Sequence, residues 1–193
     1  MAVQASRITV LTAGLTVADS KLLDLLDDRD RLRIDRIAGE ADRARILIGA
    51  ALLRSVAGSM LGIPAREVVV DRTCPECGGW HGRPTLPGTD LDVSVSHSGM
   101  VVAVAVLPGG GRVGVDVERI NDRPVPEVIA WTLTEAQFKA GGGSGLTIHR
   151  LPDPAPGHVM TLATNQPTAG VTVVESSGLL RRTAAPGEDH DPE

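Results

Sequence analysis

Residues 100–120, "MVVAVAVLPGGGRVGVDVERI", constrain the fold more than any other stretch of the chain. From Met100 to Leu107 every residue is apolar, a run of strand length closed by proline and glycines, which reads as a buried strand. After the glycine-rich turn a period of two sets Val113, Val115 and Val117 on one face of a second strand and Gly114, Asp116 and Glu118 on the other. A surface strand alternates in the same way. With the apolar run upstream as its partner, the acidic strand is expected to lie inside a sheet. Carboxylates side by side there repel, and one is driven toward its neutral form unless a cation holds them.

The other segments fit an α+β class with mostly antiparallel strands. Residues 20–37 mix leucines with dense alternating charge and predict an exposed helix or two short ones. Ile46, Ala50, Leu53 and Ala57 then recur at i, i+4, i+7 and i+11, the stripe of a core helix that Gly62 and Pro64 end. Residues 65–72 read as a short strand, 74–90 as loop, and "LDVSVSHSG" as an alternating strand running into a turn. Beyond the acidic strand, "RINDRPVPE" reads as a linker and "VIAWTLTEAQFKAGGGSG" as a helix closed by glycines, followed by short β-like runs. Thr132 with Glu135, or Thr134 with Gln137, would suit a capping box on that helix, and Glu135 with Lys139 an i, i+4 ion pair. The division expected is 1–111, 112–183 and an acidic, disordered tail at 184–193.

Composition excludes some functions. One Phe, two Trp and no Tyr leave little for a base-stacking nucleic-acid module. A formal charge of −5 argues against a nonspecific phosphate-backbone binder, although local basic clusters can still hold a small polyphosphate. The start has no basic region followed by an unbroken apolar run, and no run of 18 apolar residues occurs, so a cytoplasmic protein with no membrane partner is expected. Cys74 and Cys77 in "TCPECGGWHGRP" are the two cysteines. In a reducing cytosol such a pair suggests metal or redox chemistry; zinc would need His81 and a further ligand, and otherwise this is a loop shaped by proline and glycine.

Four islands follow in order: "GRP" at 82–84, "SVSHSG" at 94–99, "GVDVE" at 114–118 and "WTLTEAQFKAGGG" at 131–143. Together they resemble the signature set of 4′-phosphopantetheinyl transferases of the surfactin-synthetase-activating type. The helix "RARILIGAALLRSV" resembles that family's amino-terminal half, and "CPEC" before "GGWHGRP" resembles its actinobacterial branch. The resemblance spans about residues 20–146. It implies two similar α/β halves related by a pseudo-twofold axis, and Mg²⁺-dependent transfer of the phosphopantetheine arm of coenzyme A to a serine of an apo acyl or peptidyl carrier protein, as in polyketide or nonribosomal peptide biosynthesis. A complete site within one chain implies a monomer.

By the same resemblance Asp116, Glu118 and Glu135 hold the metal, Glu135 takes the serine proton and Lys139 stabilises phosphate oxygens. Ser96, His97, Arg83 and Arg45, with Arg29 or Arg33, bind coenzyme A. Two departures stand out. Thr134 occupies the place of the motif lysine, and only twelve residues separate Glu118 from Trp131, where the family has a longer segment that helps receive the carrier. A coenzyme A-binding relative with weak or lost transfer is therefore the alternative.

Overall fold

Alternate side chains of the apolar run go to two different cores. The computed structural model describes residues 7–183, and the tail expected at 184–193 lies outside the described residues. Strand β5 (Val101–Leu107) is buried along its whole length. Val102, Val104 and Val106 face helix α2 (Glu40–Leu61), while Val101, Ala103, Ala105 and Leu107 face a second sheet. A strand covered on both faces must be apolar at every position, as this one is.

The first sheet has the order β4 (Asp92–Ser98), β5, β1 (Arg7–Gly14), β9 (Gly170–Glu175), antiparallel except for the parallel β1–β9 pair. The second has the order β6 (Val113–Arg119), β8 (His158–Thr164), β7 (Thr147–Arg150), with helix α3 (Val125–Lys139) across its outer face. The layers thus run α2, first sheet, second sheet, α3. A hairpin of β2 (Asp71–Thr73) and β3 (Trp80–Thr85) stands beside them.

α2 fills the first core with the predicted stripe: Ala50, Leu53 and Ala57 are buried, with Ile46 packed against them. It is long and apolar enough to cross a membrane by length and composition, and its packing on the first sheet accounts for that apolarity. Each fully buried leucine there, Leu52 and Leu53 among them, contributes about 1.5–3 kcal/mol. Gly62, in the left-handed region at φ 70°, ends the helix.

Several expectations are corrected. The apolar run and the acidic strand are not ladder partners: the glycine turn carries the chain into the second sheet, where β6 pairs with β8. Residues 65–67 form a 3-10 turn, and the strand begins only at Asp71. The loop at 74–90 contains β3. α3 starts at Val125, after Pro124, so Thr132 and Thr134 lie inside the helix and cap nothing. Residues 170–183, expected with the second half, pack with the first: β9 joins β1, and Leu180 of α4 (Ser177–Thr183) enters the first core.

The charged segment at 20–37 splits into a 3-10 turn (Ser20–Leu25) and α1 (Asp28–Asp35). It is not simply a solvated face. Arg54 of α2, 1% exposed, bonds Asp30 at 3.0 Å and Asp27 at 2.5 Å, and also the Val68 carbonyl. Arg72 approaches the same Asp30 at 3.6 Å.

Candidate active site

The two sheets are joined where β4 meets the free edge of β6. Because β4 alternates as Asp92, Ser94, Ser96, Ser98, one acceptor comes forward at every second residue. Asp92 Oδ2 accepts from Val113 N, and Ser94, Ser96 and Ser98 Oγ accept from Val115, Val117 and Arg119 N, at 2.7–3.2 Å. Side-chain oxygens replace a neighbouring strand and satisfy donors that a buried edge would otherwise leave unpaired. This seam is the floor of a cleft of about 770 Å³.

On β6 the predicted alternation holds. Val113, Val115 and Val117 pack on Met160 and Leu162, while Gly114 and Asp116 face α3. Gly114 permits the closest approach: a Cβ there would lie 2.1 Å from the Ala136 carbonyl oxygen and 2.6 Å from Ala140 N. With the helix that near, Lys139 Nζ reaches Asp116 Oδ1 at 2.6 Å and Ser96 Oγ at 3.1 Å. Ser96 also donates to Asp116 Oδ1 at 2.8 Å. The other oxygen, Asp116 Oδ2, is buried without a partner. Burial raises the Asp116 pKa, against the pull of Lys139 and Ser96.

Glu118 Oε2 accepts from Ser98 Oγ at 2.9 Å and pairs with Arg123 at 3.3 Å. Glu135, one turn before Lys139 on α3, lines the same cleft, and its carboxylate has no ion pair or hydrogen bond among the described residues. The three acids and the lysine therefore share one cavity. His97, Ser96, Arg83 and Arg33 line it too, joined by residues the motifs did not single out: Arg72, Arg112, Trp131 and Phe138. Arg72 carried no signal beyond its place in a short strand. Trp131 and Phe138 were legible at i−4 and i+3 from Glu135.

The expected coenzyme A residues separate into two groups. Arg33, Arg45 and His97, joined by Arg72, surround one small recess beside the cleft. Burial and then the neighbouring Arg33 charge push the Arg72 pKa down to about 10, against the pull of Asp30. Burial, then Arg45 and Lys139, likewise lower the His97 pKa. Arg45 donates to the Gly99 carbonyl at 2.8 Å and pairs with Asp42.

The second group is engaged elsewhere. Arg83 Nη2 donates to Asp92 Oδ2, Val93 O and Val113 O at 2.7–3.0 Å, pinning β3 to the seam. Ser96 Oγ is taken up by Asp116, Val117 N and Lys139. Arg29 is not among the cleft-lining residues; it stacks over the Trp80 ring at 4.8 Å and borders a separate groove. Thr134 is exposed, donates back to the Ala130 carbonyl at 3.0 Å, and is likewise not among the lining residues.

No curated protein matches the chain. Residues 18–108, just under half of it, match the family model described as 4′-phosphopantetheinyl transferase, N-terminal. That stretch runs from the turn before α1 to the end of β5 and is similar to the amino-terminal part of that family.

Proposed function

We propose that the chain transfers the 4′-phosphopantetheine arm of coenzyme A to a serine hydroxyl of an apo acyl or peptidyl carrier protein, in a Mg²⁺-dependent reaction of the surfactin-synthetase-activating type. The observation that carries this reading is the convergence of Asp116, Glu118, Glu135 and Lys139 on one cleft beside a cationic recess. The donor set suits magnesium, a hard ion that joins carboxylates to phosphates. The buried Asp116 Oδ2 offers an unused lone pair, and Glu118 and Glu135 supply the further oxygens. When bound, the ion would neutralise the pyrophosphate on which the reaction turns.

The chain's own groups then have distinct tasks. Glu135 is placed to accept the proton of the attacking serine, directly or through water. Lys139 offers its ammonium to the phosphate oxygens. Arg33, Arg72 and His97, with Arg45 at the edge, suit the 3′-phosphate, where guanidinium groups bind in pairs. Exposed Trp131 and Phe138 give the mouth of the cleft an apolar rim for a protein partner. A single chain carries all of these groups, which favours a monomer, and the reading places the reaction in the cytoplasm.

Incubation with coenzyme A, Mg²⁺ and a panel of apo carriers, read by carrier mass, tests the proposal. At least one carrier gains the phosphopantetheine mass if the reading is right, and none gains it if it is wrong. Coenzyme A binding without transfer to any carrier would favour the second reading, a binding protein with weak or lost activity. Thr134, which lacks the motif lysine's charge, is the observation on that side.

A further inference from the structure

The hairpin of β2 and β3 closes on three donor atoms that the transfer reaction leaves unused. Cys74, Cys77 and His81 have their ligand atoms within 4.8 Å of one another, with Cys77 Sγ 3.0 Å from His81 Nε2. A tetrahedral zinc ion with Zn–S of about 2.3 Å and Zn–N of about 2.0 Å sets its S···N separation at about 3.5 Å. The pair therefore needs to open by only about half an ångström to admit the ion.

The backbone is arranged around sulfur. Gly79 N donates to Cys77 Sγ at 3.4 Å, and the backbone N–H groups of Cys77 and Glu76 lower the Cys74 pKa. Such donors favour thiolate, the form that binds metal. The turn between the cysteines is locked by Gly78 N to Cys74 O at 2.9 Å and Cys74 N to Gly79 O at 2.8 Å. Gly78 lies at φ 70°. At Gly79 a Cβ would come within 3.0 Å of the His81 ring and 3.3 Å of Cys77 Sγ, so the missing side chain leaves the ring its place over the sulfur.

We propose that Cys74 Sγ, Cys77 Sγ and His81 Nε2 bind one zinc ion, with water in the fourth position, and that the ion clamps the turn of the β2–β3 hairpin shut beside the cleft. No fourth Cys, His, Asp or Glu joins the cluster among the described residues, so the remaining position is left to solvent. A clamp has a task here. The ladder of this hairpin is irregular and short, with Asp71 opposite Thr85 and Thr73 opposite Trp80, and a two-stranded hairpin is marginal by itself. Yet it carries Arg72 and Arg83 to the cleft wall.

The test uses the whole chain purified under reducing conditions, with Zn²⁺ and Co²⁺ as probes. Expected are about one zinc per chain by elemental analysis, and a cobalt form with thiolate charge-transfer and tetrahedral d–d bands. Cys74→Ser with Cys77→Ser should lower zinc at least tenfold, and His81→Ala should release it to a dye chelator that leaves the parent loaded. Amide exchange over residues 71–85 should quicken when the ion is stripped, a readout independent of transfer and of any variant's folding. A parent chain that binds neither Zn²⁺ nor Co²⁺ with its thiols reduced would overturn the proposal. So would a His81→Ala protein that holds zinc as firmly as the parent.

Discussion

Lys139 Nζ lies 2.6 Å from Asp116 Oδ1, while Oδ2 of the same buried carboxylate has no partner. One half of the group is neutralised from α3 and the other half is buried unpaired. Desolvation wins in the free protein and raises the Asp116 pKa. The folded chain then keeps this proton to a higher pH than the unfolded chain, whose value is near 3.8. Between the two, stability falls as pH rises.

Asp116→Asn should therefore remove that slope and leave the metal-free protein no less stable than the parent at pH 7. Mg²⁺ should stabilise the parent, by about 2.7 kcal/mol at a hundred times its dissociation constant, and leave the variant unmoved. Melting curves from pH 4 to 7, with and without Mg²⁺, decide it. Equal Mg²⁺ shifts in both proteins would show that Asp116 is not a ligand. Asp116→Ala should abolish carrier modification with the fold retained.

Gly114→Ala should separate Lys139 from Asp116 without touching either. The added Cβ would lie 2.1 Å from the Ala136 carbonyl oxygen, a backbone atom that cannot rotate away, so α3 has to move by about an ångström. Overpacking of this kind costs about 1–3 kcal/mol. Transfer should fall well beyond what the loss of folded protein explains. Gly14→Ala is the control, since its Cβ would meet nothing nearer than the Met100 carbonyl at 3.8 Å. A Gly114→Ala enzyme of parental activity would mean that the approach of α3 does not set the centre.

The acidic strand and the helix after it were legible in the sequence because each obeys a single period. β6 buries its valines on Met160 and Leu162, and α3 presents Trp131, Glu135, Phe138 and Lys139 along one face. Pairing was not legible. An apolar run states that both faces are covered, without saying by what, so adjacency in sequence suggests β6 as the partner of β5, which pairs instead with β1 and β4. Serines spaced by two look like a polar strand face until an unpaired edge lies opposite them, which only the fold supplies. Arg83 reads as a nucleotide ligand in "GRP", yet its guanidinium is turned into the seam by Asp92 and two carbonyls. Charge alternation at 27–33 likewise hides that Asp30 faces Arg54 from a buried helix.

That buried pair supports a stability prediction. Arg54→Met leaves Asp30, 2% exposed, without its main cation, and breaking such a pair costs about 3–5 kcal/mol. Asp27 contributes to the acid limb. Burial opposes its ionisation, but the Asp30 N–H and Arg54 overcome it and hold its pKa below the ordinary 3.8. A depressed carboxyl supplies stability above the unfolded value that is lost as pH falls through the folded one. Asp27→Asn should therefore flatten the decline of stability below pH 4 relative to the parent. Denaturant titrations at pH 3 to 7 check both, and an Arg54→Met protein as stable as the parent would show the cluster to be replaceable.

Thr134→Lys asks whether the departure from the motif limits the enzyme. Thr134 sits in mid-helix with its hydroxyl turned back to Ala130 O, so lysine there removes no cap and replaces a weaker helix former with a stronger one. Stability should rise by a few tenths of a kcal/mol, about the difference in propensity. Trp131 and Phe138, at i−3 and i+4, are its neighbours on the helix surface, and both line the cleft. A four-carbon stem laid over them can bring an ammonium group to the cleft mouth. A charge-assisted bond to a phosphate contributes about 1.5–3 kcal/mol, roughly ten- to a hundredfold in coenzyme A affinity or transfer rate. Calorimetry with coenzyme A and the rate of carrier modification, measured on the same preparation, separate the two effects. A variant that melts slightly higher but neither binds more tightly nor transfers faster would show that this face of α3 does not reach the coenzyme A phosphates, and that Lys139 is the cation this helix supplies.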